Sequence, residues 1–73
     1  MNKTTISIEI TVNGHTLTVE YGSSVEECIK MYSSIEAAHA VFVNNHLIPK
    51  EYCALRKVGD GDILRVIYFL GGG

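Results

Sequence analysis

Few side chains in this chain have the types and spacing of a reactive site. His15, His39 and His46 are spread without metal-ligand rhythm, so metal binding is not expected. Cys28 and Cys53 lack CxxC spacing; Cys28 falls on an apolar helical stripe and reads as a small buried hydrophobe. Cys53 falls in an irregular stretch where exposure is expected, but no neighbouring motif would lower its pKa. Asp60 and Asp62 flank Gly61 and read as turn formers rather than a carboxylate pair. Glu26, Glu27, Glu36 and Glu51 are most simply solvated surface charges. There is no GxxxxGK[ST] loop and no GxGxxG to cradle a phosphate. What remains is the end, Tyr68-Phe69-Leu70-Gly71-Gly72-Gly73. Three glycines lose the most backbone entropy on ordering and have no side chain to bury. Gly71, Gly72 and Gly73 are therefore expected to form a flexible tail (71–73) beyond a domain spanning 1–70. Such a tail can thread a narrow channel, and the α-carboxylate of Gly73 would be its reactive group. A frayed, inert terminus is the competing reading.

The elements that must carry this tail belong to a single small domain. Seventy-three residues should bury only about 60% of the surface the unfolded chain exposes, so the core must be compact. A net charge of −2 supplies no basic patch, which argues against nucleic-acid binding. No apolar run approaches the roughly 18 residues of a membrane span, and no signal-peptide stretch opens the chain. Two cysteines permit one disulfide, yet nothing marks the chain as secreted; reduced thiols and a cytoplasmic location are expected.

Thr5 to Val12 alternates polar and apolar residues, the period of a strand with Ile6, Ile8, Ile10 and Val12 on its buried face. Asn13-Gly14 is a strong hairpin signal, since both residues tolerate the positive φ of a type I′ turn. The return strand is His15 to Tyr21, with Leu17, Val19 and Tyr21 inward. Ser24 and Glu27 match a capping box, and Val25, Cys28, Ile29 and Tyr32 form the apolar stripe of the helix that follows. Ser33-Ser34 should weaken that helix, and Ile35 to His39 is ambiguous between a last turn and a loop. Ala40 to Val43 is a short strand, Asn44-Asn45 a turn, and His46 to Pro49 extended. Lys50 to Val58 is a mixed crossing, where Leu55 and Tyr52 are candidates to plug the core. Asp60-Gly61-Asp62 turns into a last strand, Ile63 to Leu70. This order suits an α+β fold of the β-grasp (ubiquitin-like) type, a mixed sheet packed on one main helix. A final strand beside the first would then run parallel to it. Other small α+β arrangements share the order.

Four segments resemble the ThiS family, the ubiquitin-like sulfur carriers of thiamine biosynthesis. They are the strand ending in Val12-Asn13-Gly14, the run Val41-Phe42-Val43-Asn44-Asn45-His46-Leu47-Ile48-Pro49-Lys50, the turn Asp60-Gly61-Asp62, and the glycine-terminated end. The second resembles the family's aliphatic-x-aliphatic-Asn-x-x-aliphatic-aliphatic-Pro-basic segment. Tyr52 stands where the family often carries an aromatic in its crossing. The resemblance implies a β-grasp fold and a carrier rather than an enzyme. It implies partners: a ubiquitin-activating-like adenylating enzyme that uses ATP on the Gly73 carboxylate, a sulfur donor, and a thiazole synthase that receives sulfur from the resulting thiocarboxylate. No bound cofactor is implied, and a monomer is expected when the chain is free.

A carrier must dock on at least two proteins. If Val41 and Val43 face the helix, Phe42 faces away, while Tyr68 or Phe69 would reach past the domain edge beside the tail. These three are the candidate docking residues. Cys53 is a secondary candidate for relaying sulfur. The rivals are the same chemistry serving molybdopterin or tRNA thiolation, a ubiquitin-like protein modifier, and a plain interaction domain.

Overall fold

The structure, a computed structural model, describes residues 5–68. Strands β1 (Ser7–Val12) and β2 (His15–Glu20) form the first hairpin, followed by helix α1 (Val25–Lys30). Strands β3 (Ala38–Val43), β4 (His46–Ile48) and β5 (Ile63–Tyr68) complete a sheet of order β2-β1-β5-β3-β4. Two short 3-10 turns, Ile35–Ala37 and Lys50–Tyr52, occupy the ambiguous stretches. β5 runs parallel to β1 and antiparallel to β3, so the sheet is mixed and the last strand is central. This is the β-grasp arrangement expected. Among the described residues, no helix is long and apolar enough to cross a membrane.

Local chemistry sets the turns. Asn13 (φ 51°) and Gly14 (φ 85°) make the positive-φ hairpin turn, and Asn44 (φ 51°) with Asn45 (φ 70°) repeats it between β3 and β4. α1 has only six residues, too few to hold by propensity, so its start is held by partners. The Ser24 hydroxyl accepts from the Glu27 amide at 3.1 Å, and the Glu27 carboxylate accepts from the Ser24 amide at 2.9 Å. The crossing supplies the rest: Val25 N–H donates to Arg56 O and Glu26 N–H to Cys53 O. The first three helical amides are thereby satisfied.

The core lies between α1 and one face of the sheet. Val25, Cys28 and Ile29 meet Ile10, Val41, Val43, Leu64 and Val66 there. Five expected core positions stand outside it. Ile6 and Tyr21 are 62% and 70% exposed, because their backbones pair at the open end of the hairpin, past the cover of the short helix. Tyr32 is half exposed, since α1 ends at Lys30 and the apolar stripe outlasts the helix. Its ring instead lies 6.2 Å from that of His15. Tyr52 and Leu55 are also exposed. Leu55 N–H bonds Tyr52 O, which turns both outward, while Cys53 and Val58 plug the core in their place.

Candidate functional site

The last described strand leads toward the tail, so the site is built around β5. Two asparagines with left-handed backbones clip it from either side. Asn44 N–H donates to Ile63 O at 2.8 Å, and its side-chain carbonyl accepts from Ile63 N–H at 2.9 Å. Its amide also donates to Asp62 Oδ1 at 3.0 Å. On the other flank, Asn13 N–H donates to Leu64 O at 3.0 Å. The Asn13 side chain then mimics one more residue of β1: Nδ2 donates to Val66 O at 3.1 Å, and Oδ1 accepts from Val66 N–H at 2.8 Å. β5 is thus held through Val66 on its β1 side, although β1 itself has already turned away. Asn-Gly signalled the turn in the sequence. The second use of the asparagine was hidden, because it depends on a strand more than fifty positions away.

Asp60 and Asp62 are turn formers, as expected. Asp60 Oδ1 accepts from Glu9 N–H at 2.8 Å and Asp62 Oδ2 from Gly59 N–H at 2.7 Å. Gly61 carries φ 85° between them and donates to Glu9 O at 2.7 Å. These contacts fix where β5 begins and hence where it points.

β5 alternates in burial. Leu64 and Val66 are buried against the helix side, while Ile63, Arg65 and Ile67 face outward. β3 matches it, with Val41 and Val43 buried and Phe42 on the outer face. Register places Phe42 between Leu47 of β4 and Arg65 of β5. The Arg65 guanidinium lies 5.1 Å from the centre of the Phe42 ring, a cation–π contact that half covers the aromatic. Around it Leu47 (61%), Ile63 (59%) and Ile67 (41%) are exposed, an apolar band on the β3–β4–β5 half of the outer face. The β1–β2 half of that face carries Glu9, Thr16, Thr18 and Glu20 instead. Phe42 was identified from sequence; Leu47, Ile63 and Ile67 were not. The alternation around Arg65 held the signal, because the one charge in that strand marks its outward side.

Tyr68 departs from expectation. Rather than reaching past the domain edge, it packs on the core and its hydroxyl shares a 2.9 Å hydrogen bond with Ser33 Oγ. Its position follows the alternation of Leu64 and Val66 toward the helix side. Phe69 and the glycines Gly71, Gly72 and Gly73 lie outside the described residues.

Cys53, expected at the surface, is fully buried, with its thiol 3.7 Å from Pro49 O. Burial pushes its pKa up, and the neighbouring Glu26 and Glu51 push it further. Burial, helped by Glu27, does the same to Cys28. Neither is poised as a thiolate, which removes the structural basis for a relay role at Cys53. Among the described residues, no three His, Cys, Asp or Glu side chains gather to hold a metal ion.

No protein-family model matches the sequence, and no curated protein matches it significantly. Solved structures do. A crystal structure of the thiamine biosynthesis protein ThiS from Geobacter metallireducens superposes with a TM-score of 0.72 at 30% identity. The match covers 90% of this chain and 100% of that one. This chain belongs to the ThiS family. An NMR solution structure of a thiamine biosynthesis protein from the same organism agrees, with a TM-score of 0.69 at 30% identity over 90% of this chain and 88% of that one. The ThiS likeness thus extends over most of the chain rather than one segment. Three of the four sequence segments that suggested it lie within or beside the described elements, and the fourth lies outside the described residues apart from Tyr68.

Proposed function

We propose that this ThiS-family chain is a sulfur carrier of thiamine biosynthesis, with the carboxyl carbon of Gly73 as its working atom. The observation that carries this reading is the match to ThiS over 90% of the chain, joined to the Gly71-Gly72-Gly73 sequence that follows the central strand. A carboxylate is a poor acyl donor because its oxygens are poor leaving groups. A partner adenylating enzyme would let the Gly73 carboxylate attack the α-phosphate of ATP, releasing pyrophosphate and leaving an acyl adenylate. A hydrosulfide equivalent from a sulfur donor would then attack the acyl carbon and expel AMP. The thiocarboxylate that results would deliver sulfur to a thiazole synthase. Beyond the Gly73 carboxylate itself, none of these steps needs a nucleophile or a nucleotide site on the carrier, so its other residues only position and present. The asparagine clips hold β5 in line, and the apolar band around Phe42 and Ile67 would offer the docking surface. The setting we assign is the cytoplasm.

Intact mass after incubation with ATP, a sulfur donor and the cognate adenylating enzyme tests the reading. Exchange of one oxygen for sulfur, mapped to Gly73 and abolished without ATP, is the expected result. An unchanged mass, with an enzyme that modifies a control carrier, overturns it. Removal of Gly72 and Gly73 should abolish the modification and leave the fold intact.

A further inference from the structure

The two edges of the sheet are defended differently. β4 has three residues, is followed at once by Pro49, and has Lys50 beside it bonding back to Ala38 O at 2.8 Å. Short length, proline and lysine are the usual means of blocking strand addition. β2 has none of these: six residues, His-Thr-Leu-Thr-Val-Glu, without proline, lysine or a bulge. Tyr21 N–H donates to Ile6 O, and the register pairs Val19 with Ile8 and Leu17 with Ile10. Antiparallel alternation then points the amides of Thr16, Thr18 and Glu20 away from β1, at the open edge. Beside this edge lies a groove of about 490 Å³ between β2 and α1, floored by Val19 and Cys28 and walled by Tyr21 and Met31. Tyr21 and Met31 are 70% and 58% exposed. Glu20 and Glu27 also line it, and no lysine or arginine does. Glu27 also borders a second hollow, where Lys30 and Lys57 stand near it beside Glu26, so Glu20 is the acidic group without a cation in either lining.

We propose that the β2 edge and its groove bind an extended segment of a partner protein as a sixth strand. The segment has apolar residues at alternate positions and a lysine or arginine at its end. Main-chain bonds to Thr16, Thr18 and the Glu20 N–H would hold the strand, its alternate apolar side chains would fill the groove, and its cation, on the opposite side of the strand, would meet Glu20 on the outer face. A second copy of this chain fits less well, because β2 offers no lysine or arginine to answer the acidic rim. The site does not involve the tail and does not depend on the carrier reading.

The test is an amide NMR titration of the full chain with the peptide acetyl-Lys-Val-Thr-Val-Thr-Val-Lys-amide. Saturable shifts and slowed hydrogen exchange are expected at Thr16, Thr18 and Glu20. Thr18→Pro removes one outward donor without touching the ladder to β1 and should weaken binding about tenfold, whereas Thr18→Val should not. Should Thr18→Pro fail to fold, Glu20→Lys serves: this outward residue should weaken the lysine-flanked peptide about threefold and favour a glutamate-flanked one. Absence of binding, shifts confined to β4 or the Phe42 face, folded variants that bind like the parent, or dimerisation through β2 by sedimentation would each overturn the proposal.

Discussion

The two faces of β3 and β5 are made from alternate residues of the same strands, yet they do different work. Inward, Val41, Val43, Leu64 and Val66 are between 0% and 4% exposed and close the core against α1. Outward, Phe42, Ile63, Arg65 and Ile67 are just as apolar apart from the arginine, but Ile63 and Ile67 stay exposed. A one-residue slip of β5 would exchange the two sets. The contrast shows that apolar character alone does not locate a core in a chain this small. What separates the faces is where the helix lies and how firmly the register of β5 is held.

The largest expected effect is on the inner face. Leu64 is 1% exposed in the middle of the core, and Leu64→Ala should cost about 3 kcal/mol in urea unfolding through lost burial and the cavity left behind. A loss under about 1 kcal/mol would mean the site collapses and the inner face is loosely packed.

Register comes next. Asn13→Ala leaves Val66 N–H and C=O without their side-chain partner and places a Cβ-bearing residue at φ 51° without an amide to compensate. A cost of about 2 kcal/mol is expected. Faster hydrogen exchange should be concentrated at Val66 and the residues after it, and uniform acceleration along β5 would show that Asn13 supports the fold only in a general way.

The cover over the inner face depends on the helix start. Ser24→Ala should cost about 1 kcal/mol by removing the cap of the Glu27 amide. The reciprocal bond has a pH signature. The Ser24 backbone amide holds the Glu27 carboxyl below its ordinary pKa, so the ionised form is favoured in the folded state. Its contribution is present above the ordinary carboxylate pKa and is lost as pH falls through the depressed one. Unfolding curves of Glu27→Gln should therefore lose less stability than the parent across the acid carboxylate range; identical pH profiles would show that the capping carboxylate contributes nothing there.

Much of this arrangement was legible in the sequence because local rules govern it. Asn13-Gly14, the Ser24–Glu27 box and the alternation of β1 each depend on neighbours a few residues apart. The ThiS-type segments added the strand order, which local rules leave open. The misplaced residues share a different cause. Tyr21 and Tyr32 continue an apolar period past the point where a covering element ends, and that point is set by tertiary contacts. Cys53 was misplaced for the converse reason, since a single 3-10 turn buried it in a stretch that shows no period. The outer band was legible only in part: Phe42 follows from its valine neighbours, but Leu47 and Ile67 join it only through cross-strand register.

The smallest effect on stability tests the outer face. Ile67 is 41% exposed, opposite Ala40, so Ile67→Ser should change unfolding free energy by no more than about 0.5 kcal/mol. If the outer band docks the adenylating enzyme, the same substitution should raise the KM for the carrier in ATP–pyrophosphate exchange. The rate at saturating carrier should stay unchanged, because Gly73 still reaches the nucleotide once bound. A fall in the saturated rate with KM unchanged would instead make Ile67 part of how the tail is aimed after docking. An unchanged KM and rate would remove this face from the encounter. The inner face permits no such separation, since Leu64→Ala lowers activity through the folded fraction before any partner is met.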